Sequence, residues 1–272
     1  MKKVLITGHK GYIGQHLWQM IKHYRPDIEL TGLDINSIHN INSIHSNEYH
    51  DIRTPIKCDT EFHTIIHLAA LVRVGSSVKY PTDYYETNVG GTINTLKQIR
   101  HHNFIFASTG AASNPDSPYG FSKRIAEDIV KDLAYDYTIF RFYNVIGTDG
   151  FEPTNPEGIL LNLLKAPKDG FNLYGDNYNT KDGSCVREYV HVNDICAAII
   201  KAIDEPANDI ENLAYGDTRT VKEIIDIYKK VNKVKFAVRV LPRRPGDLEA
   251  CYLEKPSKYM VQRYSYEEML KL

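Results

Sequence analysis

The feature that most constrains this chain is the alternation, through its first half, of short apolar runs with amphipathic stretches. Val4-Leu5-Ile6 breaks at Gly8, and Tyr12 to Tyr24 follows with Ile13, Leu17 and Met20-Ile21 at inward helical spacing. Leu30 to Leu33, Thr64 to Leu68, Phe104 to Ala107 and Thr138 to Phe142 read as further buried strands, while Thr82 to Arg100 and Ser117 to Ala134 read as long helices. Strands joined by crossovers of helical length pair in parallel. The expected fold class is therefore α/β, a doubly wound parallel sheet.

After about Val145 the rhythm weakens. Gly, Pro, Asn and Asp gather between Gly147 and Gly158 and again between Tyr174 and Gly183, and helices are expected at Ile159–Lys165, Val192–Ile203 and Val221–Val231. This pattern predicts a nucleotide-binding domain over 1–146 and a smaller C-terminal α/β lobe over 147–272, the border being crossed again near 188–214. The two lobes are expected to share a cleft. Ile35 to Ser46 reads as two near-copies of a hexamer, INSIHN and INSIHS, taken as a simplified crossover since two copies do not make a solenoid.

Composition removes several function classes. The 272 residues carry 33 Lys and Arg against 34 Asp and Glu, a net charge of −1 that provides no global field for nucleic acid. The four cysteines Cys58, Cys185, Cys196 and Cys251 form no CxxC pair and are too sparse for a disulfide framework. No apolar run approaches the ~18 residues of a membrane span, and the N-terminus lacks a signal-peptide core. The expectation is a soluble, cytoplasmic protein with no membrane or nucleic-acid partner. The 11 histidines are scattered, so no metal site is expected; His101-His102 reads as a helix end and His191 as structural.

Gly8, Gly11 and Gly14 lie in a turn between the first strand and its helix. Glycines there permit a tight turn and let backbone N–H groups and a helix N-terminus approach a pyrophosphate. Asp34 falls 20 residues after Gly14, at the end of the second strand, where a carboxylate can accept from an adenosine ribose and would repel a 2′-phosphate. Strand, glycine turn, helix, strand and acid in that order make the sheet Rossmann-like and favour NAD over NADP.

Tyr119 and Lys123 stand four residues apart near the start of a helix, so their heads share one face. Free tyrosine is a poor base, but a neighbouring ammonium and a positive nicotinamide would stabilise its phenolate. The strand at Phe104–Ala107 ends in Ser108-Thr109, whose hydroxyls point toward the same edge. Base, tuning cation and hydroxyl suit removal of hydride from a secondary alcohol.

With those residues in place the chain resembles the extended short-chain dehydrogenase/reductase superfamily and, within it, the UDP-hexose 4-epimerases (UDP-galactose 4-epimerase type). The resemblance runs from Met1 to about Lys258 through GHKGYIG (8–14), HLAA (67–70), FIFAST (104–109), SPYGFSK (117–123), RFYNVIG (141–147) and YGDNYNTKDGSCVREYVHVND (174–194). It implies that Tyr119 takes the proton of the sugar 4-OH while hydride passes to bound NAD, that Thr109 holds O4, and that Lys123 holds the nicotinamide ribose. The keto sugar would then turn and take the hydride back on its other face. Gly8, Gly11, Tyr12, Ile13, Gly14, Asp34, Asn36, Asp51, Ile52, Leu68, Ala69, Ala70, Asn88 and Tyr143 match family cofactor positions. Asn144, Asn162, Leu163, Tyr174, Arg187, Tyr189, Arg244 and Asp247 match UDP-sugar positions. Cys251 matches a position where bulky Tyr restricts some members to glucose and galactose, so conversion of the N-acetylated pair is also expected. The long helices after the glycine turn resemble those of a homodimer interface.

Several positions depart from the family pattern. Tyr119 follows Thr109 by only ten residues, Val72 stands where many epimerases carry Lys, Leu161 replaces an Asn, and the chain ends soon after Ser257-Lys258, which implies loss of a C-terminal helix. Rival readings are a sugar-nucleotide 4,6-dehydratase, a uronate epimerase, a decarboxylase and, from another class, a catalytically silent NAD(H)-binding sensor. Gly110-Ala111 after Thr109 argues against the dehydratase, whose chemistry needs an Asp-Glu pair there.

Overall fold

A computed structural model describes residues 1–35, 50–147, 150–244, 249–251 and 257–272. The hexamer pair after Ile35 lies outside them, as do the candidate site residues Asn36 and Asp247. The chain divides into two compact units, one of Met1–Arg141 with Cys196–Glu211, the other of Phe142–Ile195 with Asn212–Leu272.

The first unit begins β1 (Lys2–Thr7), α1 (Tyr12–Tyr24), β2 (Ile28–Leu33), β3 (Phe62–His67), α2 (Val74–Lys79) and α3 (Pro81–Tyr84). A π-helical turn (Tyr85–Gly90), α4 (Gly91–Gln98), β4 (His101–Thr109), a 3-10 turn (Gly110–Ala112), α5 (Pro118–Leu133) and β5 (Asp136–Phe142) follow. The chain continues through β6 (Asn144–Ile146), α6 (Ile159–Asp169), β7 (Phe171–Tyr174), β8 (Val186–His191), α7 (Val192–Asp204) and β9 (Asp209–Leu213). It ends with β10 (Thr218–Thr220), α8 (Val221–Asn232), β11 (Val238–Leu241), β12 (Ala250–Cys251) and α9 (Tyr266–Leu270).

In the first unit six strands form one sheet in the order β2-β1-β3-β4-β5-β9. The pairs β1–β2, β1–β3 and β3–β4 are parallel, with Thr7 opposite Leu33 on one side and His67 on the other. This is the doubly wound α/β sheet expected from the alternation. The order reverses between β1 and β3, and the carboxyl ends at such a switch point are where open sheets bind ligands. Leu5, Leu33, Phe62, Ile65, Phe104, Phe106 and Ile139 fill the core around these strands. Each such buried side chain contributes about 1.5–3 kcal/mol over exposure.

Two expectations are corrected here. The single helix read from Thr82 to Arg100 is interrupted by the π turn at Tyr85–Gly90, where the Asn88 side chain hydrogen-bonds outside the helix, to Leu71 and Ser122. His101-His102 opens β4 rather than ending a helix, since the parallel ladder already pairs Phe62 with His101.

The second unit carries β8 between β10, antiparallel, and β12, parallel, with β6 also paired to β8, and a separate parallel pair of β7 and β11. Ile146, Leu160, Leu163, Phe171, Tyr189, Ile224 and Tyr228 make its core. The expected loss of a C-terminal helix is also corrected. Ser265 caps α9 in a box with Glu268, and Tyr266, Met269 and Leu270 are buried in the same core. Five residues suffice because the apolar face, not helix length, holds the segment.

Candidate active site

The glycine turn leaves the first strand under steric compulsion. Gly8 adopts φ of +74°, and its N–H donates to the Leu33 carbonyl at 2.8 Å. A Cβ on Gly8 would fall 2.8 Å from the Ala69 nitrogen, and one on Gly14 2.4 Å from the Gly8 carbonyl oxygen. The two glycines therefore let the turn approach the chain after β3, and α1 approach the turn. Gly11 is the N-cap of α1 and supplies no capping oxygen, so Tyr12 and Ile13 begin the helix with their amides at its N-terminal end. Asp34 is 7% exposed and accepts the Lys10 N–H at 2.9 Å, which holds its carboxylate beside the turn.

Leu68, Ala69 and Ala70 are half-buried in the segment after β3. Asn88, in the π turn, clamps the same segment. Its Oδ1 accepts the Leu71 N–H at 2.8 Å while Nδ2 donates to the Leu71 carbonyl and to Ser122 Oγ, each at 3.0 Å. Ile52 is buried against Gly91. Asp51 is bound by Arg53, and the guanidinium holds its carboxyl below the usual range.

Ser117 caps α5 by accepting the Gly120 N–H, with Pro118 in the first turn, so Tyr119 and Lys123 both sit near the start of the helix. Both side chains are buried, and the Thr109 side chain lies beside the Tyr119 phenol. The Lys123 ammonium lies over the Phe106 ring at 4.1 Å. The structure thus brings Thr109, Tyr119 and Lys123 together at the carboxyl end of β4. Tyr84, which sequence reasoning did not assign, packs edge-on against Tyr119 at 6.3 Å between ring centroids. Its hydroxyl donates to the Arg73 carbonyl at 2.6 Å and accepts the Arg73 N–H at 3.1 Å.

Burial pushes the Tyr119 phenol up to about 12, with the Thr109 hydrogen bond opposing. Burial pulls Lys123 down to about 7, with Glu127 opposing. The expected acidic phenol needs the nicotinamide charge as well as Lys123, and the chain alone carries only the lysine. Desolvation outweighs the neighbouring charge and drives both groups toward their neutral forms.

His67 sits between Thr7, 2.9 Å from Nδ1, and Thr92, 3.3 Å from Nε2. Burial, then the charge of Lys123, lowers its pKa to about 3. A folded-state value below the unfolded one means that the unfolded chain binds the proton first. Stability from this residue is complete above pH ~6.5 and is lost as pH falls from there toward 3, by up to a few kcal/mol. Chemical denaturation of His67→Asn between pH 7 and 4 should show a shallower decline than the parent; an identical slope would refute the assignment.

In the second unit the matched residues fall into two groups. Tyr174 ends β7 with the Arg244 guanidinium 3.6 Å over its ring. Arg187, on β8, donates to the Val186 carbonyl at 2.9 Å and lies opposite Cys251 in the β8–β12 register. Asn144 donates to the Glu188 carbonyl at 3.0 Å, Asn162 donates to the Gly158 carbonyl at 2.8 Å in the first turn of α6, and Tyr143 is half-buried between β5 and β6. Leu163 and Tyr189, by contrast, have side chains buried in the apolar core, Tyr189 at 1% exposure. Their side chains pack the unit, which leaves the backbone as what they can offer a ligand.

The model of the NAD dependent epimerase/dehydratase family matches residues 4–215. A UDP-glucose 4-epimerase of Rhizobium meliloti is 32% identical over 291 residues, spanning 90% of this chain and 86% of that protein. The structure of UDP-glucose 4-epimerase from Brucella ovis in complex with NAD superposes with a TM-score of 0.84 at 27% identity, covering 99% of this chain and 96% of that one. That of the UDP-Glc/GlcNAc 4-epimerase from Campylobacter jejuni does so with a TM-score of 0.77 at 26% identity, covering 100% and 97%. With the glycine turn, the parallel sheet and the grouped Tyr, Lys and Thr already in view, the match over most of its length makes this chain a member of the NAD dependent epimerase/dehydratase family.

Proposed function

We propose that this protein is an NAD-dependent UDP-hexose 4-epimerase, inverting C4 of UDP-glucose and UDP-galactose through a transient 4-keto sugar. The observation that carries the reading is the convergence of Thr109, Tyr119 and Lys123 at the end of β4, on the same sheet edge as the glycine turn after β1. The turn fits a dinucleotide, because bare glycine Cα atoms and the α1 N-terminus leave room for a pyrophosphate where side chains would collide. Gly8, Gly11, Tyr12, Ile13 and Gly14 would hold the pyrophosphate, Asp34 the adenosine ribose, and Leu68–Ala70 with Asn88 the segment beside the nicotinamide. The chemistry that bound NAD would supply is reversible acceptance of a hydride.

Tyr119 would accept the proton of the 4-OH and give it back, and Thr109, whose side chain lies beside the phenol, would orient O4. Lys123 donates to the nicotinamide ribose and stabilises the phenolate. Of the second unit's residues, Arg187 and Arg244 offer forked donors to the diphosphate, and Tyr174 offers a ring face to uracil. Incubation with UDP-galactose, followed by NMR of the products, should show UDP-glucose. Absence of C4 inversion, or conversion of UDP-glucuronate instead, would overturn the reading.

Sugar range, assembly and location extend the same proposal. A thiol at position 251 is smaller than the Tyr phenol that the resemblance associates with restriction to glucose and galactose, so UDP-GalNAc should also be converted. Cys251→Tyr should cut that activity by about tenfold or more while sparing UDP-galactose, and equal loss on both substrates would refute it. Phe121 and Ile125, one turn apart on α5, are exposed apolar side chains with Tyr85 also exposed. A second copy covering them makes a homodimer, which light scattering tests. Cys58, Cys185 and Cys196 are free thiols and, among the described residues, no helix is long and apolar enough to cross a membrane. Reduced thiols support placement in the cytoplasm.

A further inference from the structure

Lys123 and Glu127 share one face of α5, one turn apart. Lys123 is 2% exposed and Glu127 fully buried. The Glu127 carboxylate is gripped from two strands. Ser108, adjacent to Thr109 at the end of β4, donates its hydroxyl to Oε1 at 2.5 Å. Arg141, in β5, donates Nε to Oε1 at 2.8 Å and Nη2 to Oε2 at 2.6 Å. A forked guanidinium fixes the plane of a carboxylate as well as its distance. One buried side chain therefore ties the helix bearing Tyr119 and Lys123 to the strand bearing Thr109.

We propose that Glu127, clamped by Ser108 and Arg141, is a positioning residue for the C4 oxidation, setting α5 against β4 so that Thr109 meets Tyr119 and placing a carboxylate one turn from Lys123. This inference rests on the epimerase reading. The groups facing Lys123 are Tyr119 and Glu127 from its own helix, His67 from β3 and the Phe106 ring from β4, with Arg141 of β5 behind the carboxylate. His67 is held neutral by burial and by the charge of Lys123, whereas Glu127 opposes the pull of burial on the lysine.

A buried ion pair that served packing alone would be replaceable by groups of similar shape without charge. The test is therefore the paired variant Glu127→Gln/Arg141→Met, which keeps volume and leaves no unpaired charge, beside Glu127→Gln alone. In lysine-labelled protein, with the Lys123 signal assigned by its loss in Lys123→Met, NMR titration should show the ammonium deprotonating about one pH unit lower in the paired variant. With UDP-galactose its kcat should fall about tenfold or more, with KM within about threefold, and the alkaline limb of kcat should move down in pH. A paired variant that melts like the parent and keeps the parent titration and kcat would overturn the proposal, leaving Glu127 a packing residue. The titration reads Lys123 whether or not the parent turns over UDP-galactose, so failure of the epimerase reading is seen separately, in the parent.

Discussion

Replacing Tyr119 with Phe is expected to lower kcat by about 10²–10⁴-fold, the range associated with loss of a positioned acid–base group. The substitution removes one oxygen and keeps the ring that packs against Tyr84. The variant should stay folded, bind NAD as the parent does, and bind UDP-galactose with little change, since the ring is kept and only one oxygen is lost. Turnover by NMR, with cofactor content measured on the same preparation, separates these effects. Activity within tenfold of the parent would show that another group moves the proton, and the mechanism would have to be abandoned. The raised phenol pKa sharpens the test. In the chain alone burial holds Tyr119 protonated up to about 12, so catalysis depends on stabilising the phenolate in the loaded site, and the Phe variant cannot regain activity at high pH.

Gly14→Ala is expected to damage fold and cofactor binding together. A Cβ there would lie 2.4 Å from the Gly8 carbonyl oxygen, 2.7 Å from His9 Cα and 2.8 Å from its carbonyl carbon. All three are backbone atoms, so no side chain can swing aside. Relief requires α1 to shift off the turn that it supports, which costs about 1–3 kcal/mol by analogy with overpacked cores and spoils the pyrophosphate cradle. A control is built into the same unit. Gly90 has nothing within 4 Å of its would-be Cβ and lies in helical conformation, so Gly90→Ala should be neutral or slightly stabilising. Thermal melting and NAD titration of both variants check the pair. A Gly14→Ala protein that melts and binds NAD as the parent does would show that the turn has slack that the structure does not display.

The strands β1 to β5 and most helices were legible because hydrophobic period is a local property. Tyr12 to Tyr24 was bounded correctly by its inward Ile13, Leu17 and Ile21 and by the glycine turn before it. The interruption at Tyr85–Gly90 was not, because Asn88 leaves helical register to reach Leu71 and Ser122, partners that no window on the sequence contains. His101 was misread for the same reason: its strand character comes from pairing with Phe62 across the sheet. Among the site residues, Tyr119 and Lys123 announce themselves by spacing, whereas Tyr84 and Arg141 take on a role only through their contacts. Glu127 had a usable signal, being four residues beyond Lys123 on the same face, but its meaning required Ser108 and Arg141.

By itself, then, the order of residues determined the parallel sheet, the glycine turn, the acid after β2 and the presence of a Tyr–Lys pair on one helix face, since each follows from short-range sterics or helical periodicity. Tertiary structure decided the electrostatic state of that pair and its supports. Burial raises Tyr119 and lowers Lys123, and Glu127 is locked between two strands. Desolvation and long-range hydrogen bonds depend on what surrounds a group in space, and neighbours in space are not neighbours along the chain.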